Sequence, residues 1–115
     1  MALDILESAP LIEQLENFIN KIRPNESLRD KLDITYKIID QSVIVYEIWP
    51  HFRDKSQKIK VDIAKATYVR TRTIWKIFWL RADLKWHTYE PTPSATKIKH
   101  FLDIIKENKL YCFCG

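Results

Sequence analysis

The stretch Ile74-Trp75-Lys76-Ile77-Phe78-Trp79-Leu80 decides the fold. In an extended chain successive side chains point to opposite faces, so Trp75, Ile77 and Trp79 share one side while Ile74, Lys76, Phe78 and Leu80 share the other. Apolar bulk on both sides predicts a central strand, from Ile74 to Arg81, with a helix covering at least part of one face.

Working outward, Arg70 to Thr73 reads as the connection to a preceding strand between Ile59 and Val69, and Trp86 to Glu90 as a short fifth strand closed by Pro91 and Pro93. Further upstream the period is two. Leu32, Ile34, Tyr36 and Ile38 face inward while Asp33, Thr35 and Lys37 face outward, and after Asp40, Gln41 and Ser42 a second strand runs from Val43 to Trp49. Pro50 ends it, because proline has no amide to donate, and Arg53 to Lys58 form a connecting loop.

Helices are expected at both ends. Leu11, Ile12, Leu15, Phe18, Ile19 and Ile22 fall on one stripe of a helix over residues 9 to 22, with Pro10 in its first turn and Pro24 just beyond its end. Pro24, Asn25, Glu26 and Ser27 then form a turn. Ser94 is the expected N-cap of a second helix carrying Ile98, Phe101, Leu102 and Ile105, and Leu110 to Phe113 would add an edge strand or pack over the core. The strand connections are too short for crossover helices, which predicts an α+β fold. It comprises an N-terminal helix, an antiparallel sheet of three to five strands, a C-terminal helix and a short terminal extension. Residues 1–115 are expected to form a single domain.

Composition narrows the function. Four Trp, five Tyr and five Phe let a chain of 115 residues build a core from few side chains. The only glycine is Gly115, which excludes glycine-rich phosphate loops and dinucleotide fingerprints. The sequence has no stretch of about twenty apolar residues and no basic opening before an apolar run, so neither a membrane span nor a secretory signal is expected. Cys112 and Cys114 are poorly spaced for an ordinary disulfide and point to a reduced, cytoplasmic location. Residues 51 to 85 carry ten Lys and Arg against three Asp, so any basic face is built from the middle of the chain.

The segments Ala64-Lys65-Ala66-Thr67-Tyr68-Val69, Trp75-Lys76-Ile77-Phe78-Trp79 and Asp83-Leu84-Lys85-Trp86-His87 resemble a bacterial family catalogued as domain of unknown function 3024. The likeness extends through Tyr89-Glu90-Pro91 to Cys112-Phe113-Cys114-Gly115. Upstream it includes Leu32-Asp33, Gln41-Ser42-Val43 and Glu47-Ile48, so it covers most of the chain after the first helix. The ending departs from the Cys-Phe-Phe-Gly form at Cys114. The resemblance implies a small bacterial domain and brings no catalytic residues with it.

The chemistry-bearing residues support several readings. Arg70, Arg72, Lys76, Arg81, Lys85 and His87 are interleaved with Tyr68, Trp75, Phe78, Trp79, Trp86 and Tyr89. Cations contact phosphates and exposed aromatics stack on bases, so the leading expectation is non-specific nucleic-acid binding through a basic sheet face. It competes with an ordinary core in which most of these aromatics are buried. A protein-interaction or self-assembly module, including a homodimer, is the alternative. Glu47, Asp62, Asp83, Lys85 and Glu90 allow a metal-dependent nuclease if the sheet gathers the carboxylates around Mg²⁺. Cys112 and Cys114 with His51, His87 or His100 could hold Zn²⁺, although close packing of the two thiols is favoured. His87 is a proton donor if a cleft forms around it, and otherwise a structural hydrogen-bond partner. Trp49 and Trp86 would line a pocket or join the core. No cofactor or resident metal is expected.

Overall fold

The computed structural model describes residues 8–23, 26–28, 32–51, 53–54 and 56–108. Within them α1 (Ala9–Ile22) is followed by β1 (Asp33–Ile39), β2 (Ser42–Pro50), β3 (Lys58–Val69), β4 (Ile74–Leu80), β5 (Trp86–Thr88), β6 (Ser94–Ala95) and α2 (Ile98–Asn108). The sheet is antiparallel in the order β1-β2-β3-β4-β5, and β6 pairs with β4 beside β5. This is the expected α+β architecture.

Helix α1 has Pro10 in its first turn and buries Leu11, Leu15 and Ile19. It stops where Arg23 turns extended, the conformation a following proline favours, and the Arg23 N–H still donates to Ile19 O at 2.9 Å. Glu26–Leu28 then forms a single 3-10 turn. Gln14, Phe18 and Ile22 line a groove with Lys99, Leu102 and Lys106, so α1 and α2 lie side by side.

Both helices cover one sheet face. Val43, Val45, Ala64, Ala66, Trp75 and Ile77 meet Leu11, Leu15, Phe101, Leu102 and Ile105 in one buried cluster. The alanines of β3 leave room for α2 to approach that strand.

The C-terminal half differs from the sequence expectation at two points. Ser94 is not an N-cap: it pairs with Lys76, and Ala95 is buried opposite Trp75. The fifth strand ends at Thr88, and residues 89–95 then continue along the edge of β4. There the Ile77 N–H donates to Pro93 O at 3.0 Å, and Ile77 O accepts the Tyr89 N–H at 2.9 Å. Burying Ile77 requires partners for both of its backbone groups, and Pro93 is suited to the site because only its carbonyl is used. The expectations for Leu110 to Phe113, Cys112 and Cys114 lie outside the described residues.

A β-bulge sets the faces of β3. Val45 pairs with Ala64 and Tyr46 with Asp62, leaving Ile63 as the extra residue. Ile63 and Ala64 are consecutive and both buried. The bulge therefore puts Lys60 and Asp62 on the same face as Lys65 and Thr67, despite their opposite parity in the chain.

Candidate functional site

The face of the sheet opposite the helices is crossed by no other element among the described residues. Register defines it row by row. One row runs Lys37, Ile44, Lys65, Phe78, Thr88, and the next on one side runs Ile39, Ser42, Thr67, Lys76, Ser94. On the other side lie Thr35, Tyr46 and Asp62. Ile44 is buried, yet it stands outside the core cluster under the helices.

Lysines and aromatic rings interleave across this face. The Lys37 ammonium is 5.0 Å from the Tyr46 ring centroid and 3.0 Å from an Asp62 carboxylate oxygen, while the Lys60 ammonium is 6.0 Å from the same ring. Lys65 stands between two rings, 5.0 Å from the centroid of Phe78 and 4.7 Å from that of Trp86. Burial between them pushes the Lys65 ammonium pKa down, and Asp62 partly opposes the shift. Cation–π contacts at such half-exposed positions contribute about 0.5–1 kcal/mol each, little enough for a phosphate to draw the ammonium away. Strands β3 and β4 place Lys58, Lys60, Lys65 and Lys76 here against Asp62, which Lys37 already pairs. The face is therefore basic. Arg72, Lys76, Phe78, Thr88 and Ser94 line a groove of about 270 Å³ at its β4 edge.

The family model described as Domain of unknown function (DUF3024) matches residues 3–115. This chain belongs to the DUF3024 family. No curated protein and no solved structure matches it.

In this DUF3024 domain the six residues singled out from sequence do not form one cluster. Arg70 and Arg72 are exposed in the β3–β4 turn, and Lys76 is exposed on the open face. Arg81 and Lys85 are exposed at the opposite end of β4, in the turn leading to β5. The Arg81 guanidinium lies 5.2 Å from the Trp79 ring centroid. His87 is held by Asp83, with Nε2 2.8 Å from Oδ2, and Asp83 Oδ1 accepts the Lys85 N–H at 3.0 Å. These bonds hold Asp83 below the usual carboxylate range, the His87 hydrogen bond contributing most. Together they brace the hairpin, which fits the structural reading of His87. A cleft of about 430 Å³ does form beside it, lined by Trp79, Arg81, His87, Tyr89 and Glu90. Lys85 and Asp83 are not among its walls.

The aromatics divide between the two faces. Trp75 and Tyr89 are buried in the helix-side core, with Tyr68 and Trp79 packed against it, whereas Phe78 and Trp86 stand on the open face. Trp49 pairs with Ile59 on the helix side, so Trp49 and Trp86 lie on opposite faces and cannot line one pocket. The sheet likewise separates the proposed nuclease acids. Asp62 is on the open face, Glu47 is buried on the other, and Asp83 is engaged in its hairpin. Among the described residues no three of His, Cys, Asp and Glu come together as metal ligands. His51 accepts the N–H groups of Arg53 and Asp54 at Nδ1, and His100 is exposed on α2, so the three histidines are apart. Among the described residues no helix is long and apolar enough to cross a membrane.

Sequence reasoning overlooked Lys37, Lys60, Lys65 and Tyr46. Strand alternation turned Lys37 outward, but nothing in the sequence marked the bulge that brings Lys60 and Lys65 onto one surface.

Proposed function

We propose that the open sheet face binds nucleic acid without sequence readout, its lysines contacting phosphates. The observation that carries this reading is the interleaving of Lys37, Lys60, Lys65 and Lys76 with Tyr46, Phe78 and Trp86 on a face no described element covers. Phosphate contacts supply the affinity of such a surface and make it strongly salt-dependent. Of the residues named from sequence, Arg72 and Lys76 belong to this surface, Arg70, Arg81 and Lys85 lie in the turns at the two ends of β4, and His87, in register with Trp79, lies on the helix side.

Fluorescence anisotropy with labelled DNA and RNA over a range of salt concentrations tests the reading. Binding should saturate, weaken with salt, and lose salt slope by about 0.7–1 for each phosphate-contacting lysine removed in Lys60→Ala/Lys65→Ala/Lys76→Ala. Absence of binding at low salt would overturn it.

One observation favours the second reading, a protein-interaction surface. Trp49, Ile59 and Val61 are 42%, 38% and 37% exposed, although their strand positions face the helix side. This apolar strip would suit a partner or a second copy. Sedimentation of the protein and its Trp49→Ser variant should show association with the native strip alone. A concentration-independent monomer would exclude self-association.

A further inference from the structure

The open face has more than charge, and its second component discriminates between kinds of nucleic acid. The two rings flanking Lys65 belong to adjacent strands, Phe78 on β4 and Trp86 on β5. One ammonium contacts both, so the ring centroids lie within about 10 Å of each other, a separation that neighbouring bases can bridge. Arg72 and Lys76 line the groove beside the first of these rings, together with Phe78 and Thr88. A cation therefore stands between the two rings on their β3 side, and two more stand beside Phe78.

We infer that the ligand of this face is single-stranded and that its bases stack on Phe78 and Trp86, displacing the Lys65 ammonium from between the rings onto a backbone phosphate. The inference rests on the nucleic-acid reading above and goes one step further. In a duplex the base faces are already stacked on each other, so only the lysines can be used; a single strand uses lysines and rings together. The exchange is balanced. Lys65 leaves two weak cation–π contacts for a charge-assisted contact with phosphate, and each ring gains a base in its place. Stacking tolerates any base, so binding of this kind needs no base-edge readout.

The test compares short fluorescein-labelled single strands with duplexes of the same sequence. It uses the full chain, Phe78→Leu/Trp86→Leu and Lys60→Gln/Lys76→Gln, with thermal melting to confirm folding. The native protein should favour the single strand on the order of tenfold. The ring variant should lose that preference while keeping duplex binding, and the lysine variant should weaken both. Should the ring variant fail to fold, tryptophan fluorescence answers the same question: a single strand should quench the native protein, and Trp86→Phe should lose most of the quench. Equal affinity for both forms, unaffected by the ring changes but abolished by the lysine changes, would overturn this inference and leave the phosphate-binding reading standing. No binding of either form would overturn both.

Discussion

The Arg23 guanidinium grips the Asp33 carboxylate through two parallel hydrogen bonds, Nε to Oδ1 at 2.9 Å and Nη2 to Oδ2 at 2.6 Å. The pair ties the end of α1 to the first residue of β1, across the segment that includes Pro24. Asp33 Oδ1 also accepts the Ile34 N–H at 2.8 Å, which helps to hold the carboxylate toward its partner. The hydrogen bond to Asp33 raises the Arg23 pKa further above its ordinary value. Because the pair is partly exposed and bidentate, a double-mutant cycle with Arg23→Ala and Asp33→Ala should give a coupling of about 1 kcal/mol that shrinks with added salt. Urea unfolding of the four proteins measures it, and zero coupling would mean the clamp does not stabilise the fold.

Ala66 is fully buried on β3, in register with Val43 on one side and Ile77 on the other. Its methyl group fits the space below α2. Ala66→Leu should destabilise the domain by about 1–3 kcal/mol through overpacking, read as a lower urea midpoint. An unchanged midpoint would show the helix layer to be loosely packed.

Tyr36 donates its hydroxyl to Glu16 at 2.8 Å, and burial followed by that bond raises its pKa to about 12. A raised folded-state value means a contribution fully present below the unfolded pKa near 10 and lost as pH rises through about 12. Titration followed by phenolate absorbance should show a late component that Tyr36→Phe removes. The native protein's stability advantage over that variant should decline across the same window. Titration of every tyrosine near 10 would contradict this.

Asp83 behaves in the opposite sense. Its folded pKa lies below the ordinary 3.8, so its contribution is present above that value and is lost as pH falls through the lower folded one. The stabilities of the native protein and Asp83→Ala should differ at neutral pH and converge on acidification below about 4. A gap that stays constant in acid would assign the effect to packing.

Among the described residues Asp40, Thr73 and Leu84 take positive φ, at 52°, 54° and 61°. With no glycine before Gly115, the hairpin turns place ordinary residues in the left-handed region, and Thr73 is β-branched there. Thr73→Gly should stabilise the fold by about 0.5–1 kcal/mol, the relieved strain exceeding glycine's added chain entropy. A lower melting temperature for this variant would refute the strain argument.

The chain's own pattern determined the two helices, the first four strands and the central place of β4. Each follows from local periodicity: apolar residues at helical spacing in α1, strict alternation in β1, and bulk on both sides of Ile74–Leu80. The two-residue strand β6 was not legible, because it forms only where the returning chain pairs with β4, Pro93 O accepting from buried Ile77 just before it and Ala95 lying opposite Trp75. The basic face was half legible. The sequence located positive charge in the middle of the chain and named Lys76, but it also named Arg81 and His87, which the β4–β5 hairpin places beside a different cleft. What brings Lys60 onto the surface that Lys65, Phe78 and Trp86 already share by register is the extra residue at Ile63, and that bulge is set by packing. Ile63 and Ala64 both reach the core, so the alternation of β3 must slip by one residue, and the lysines on either side of the slip come to share a face.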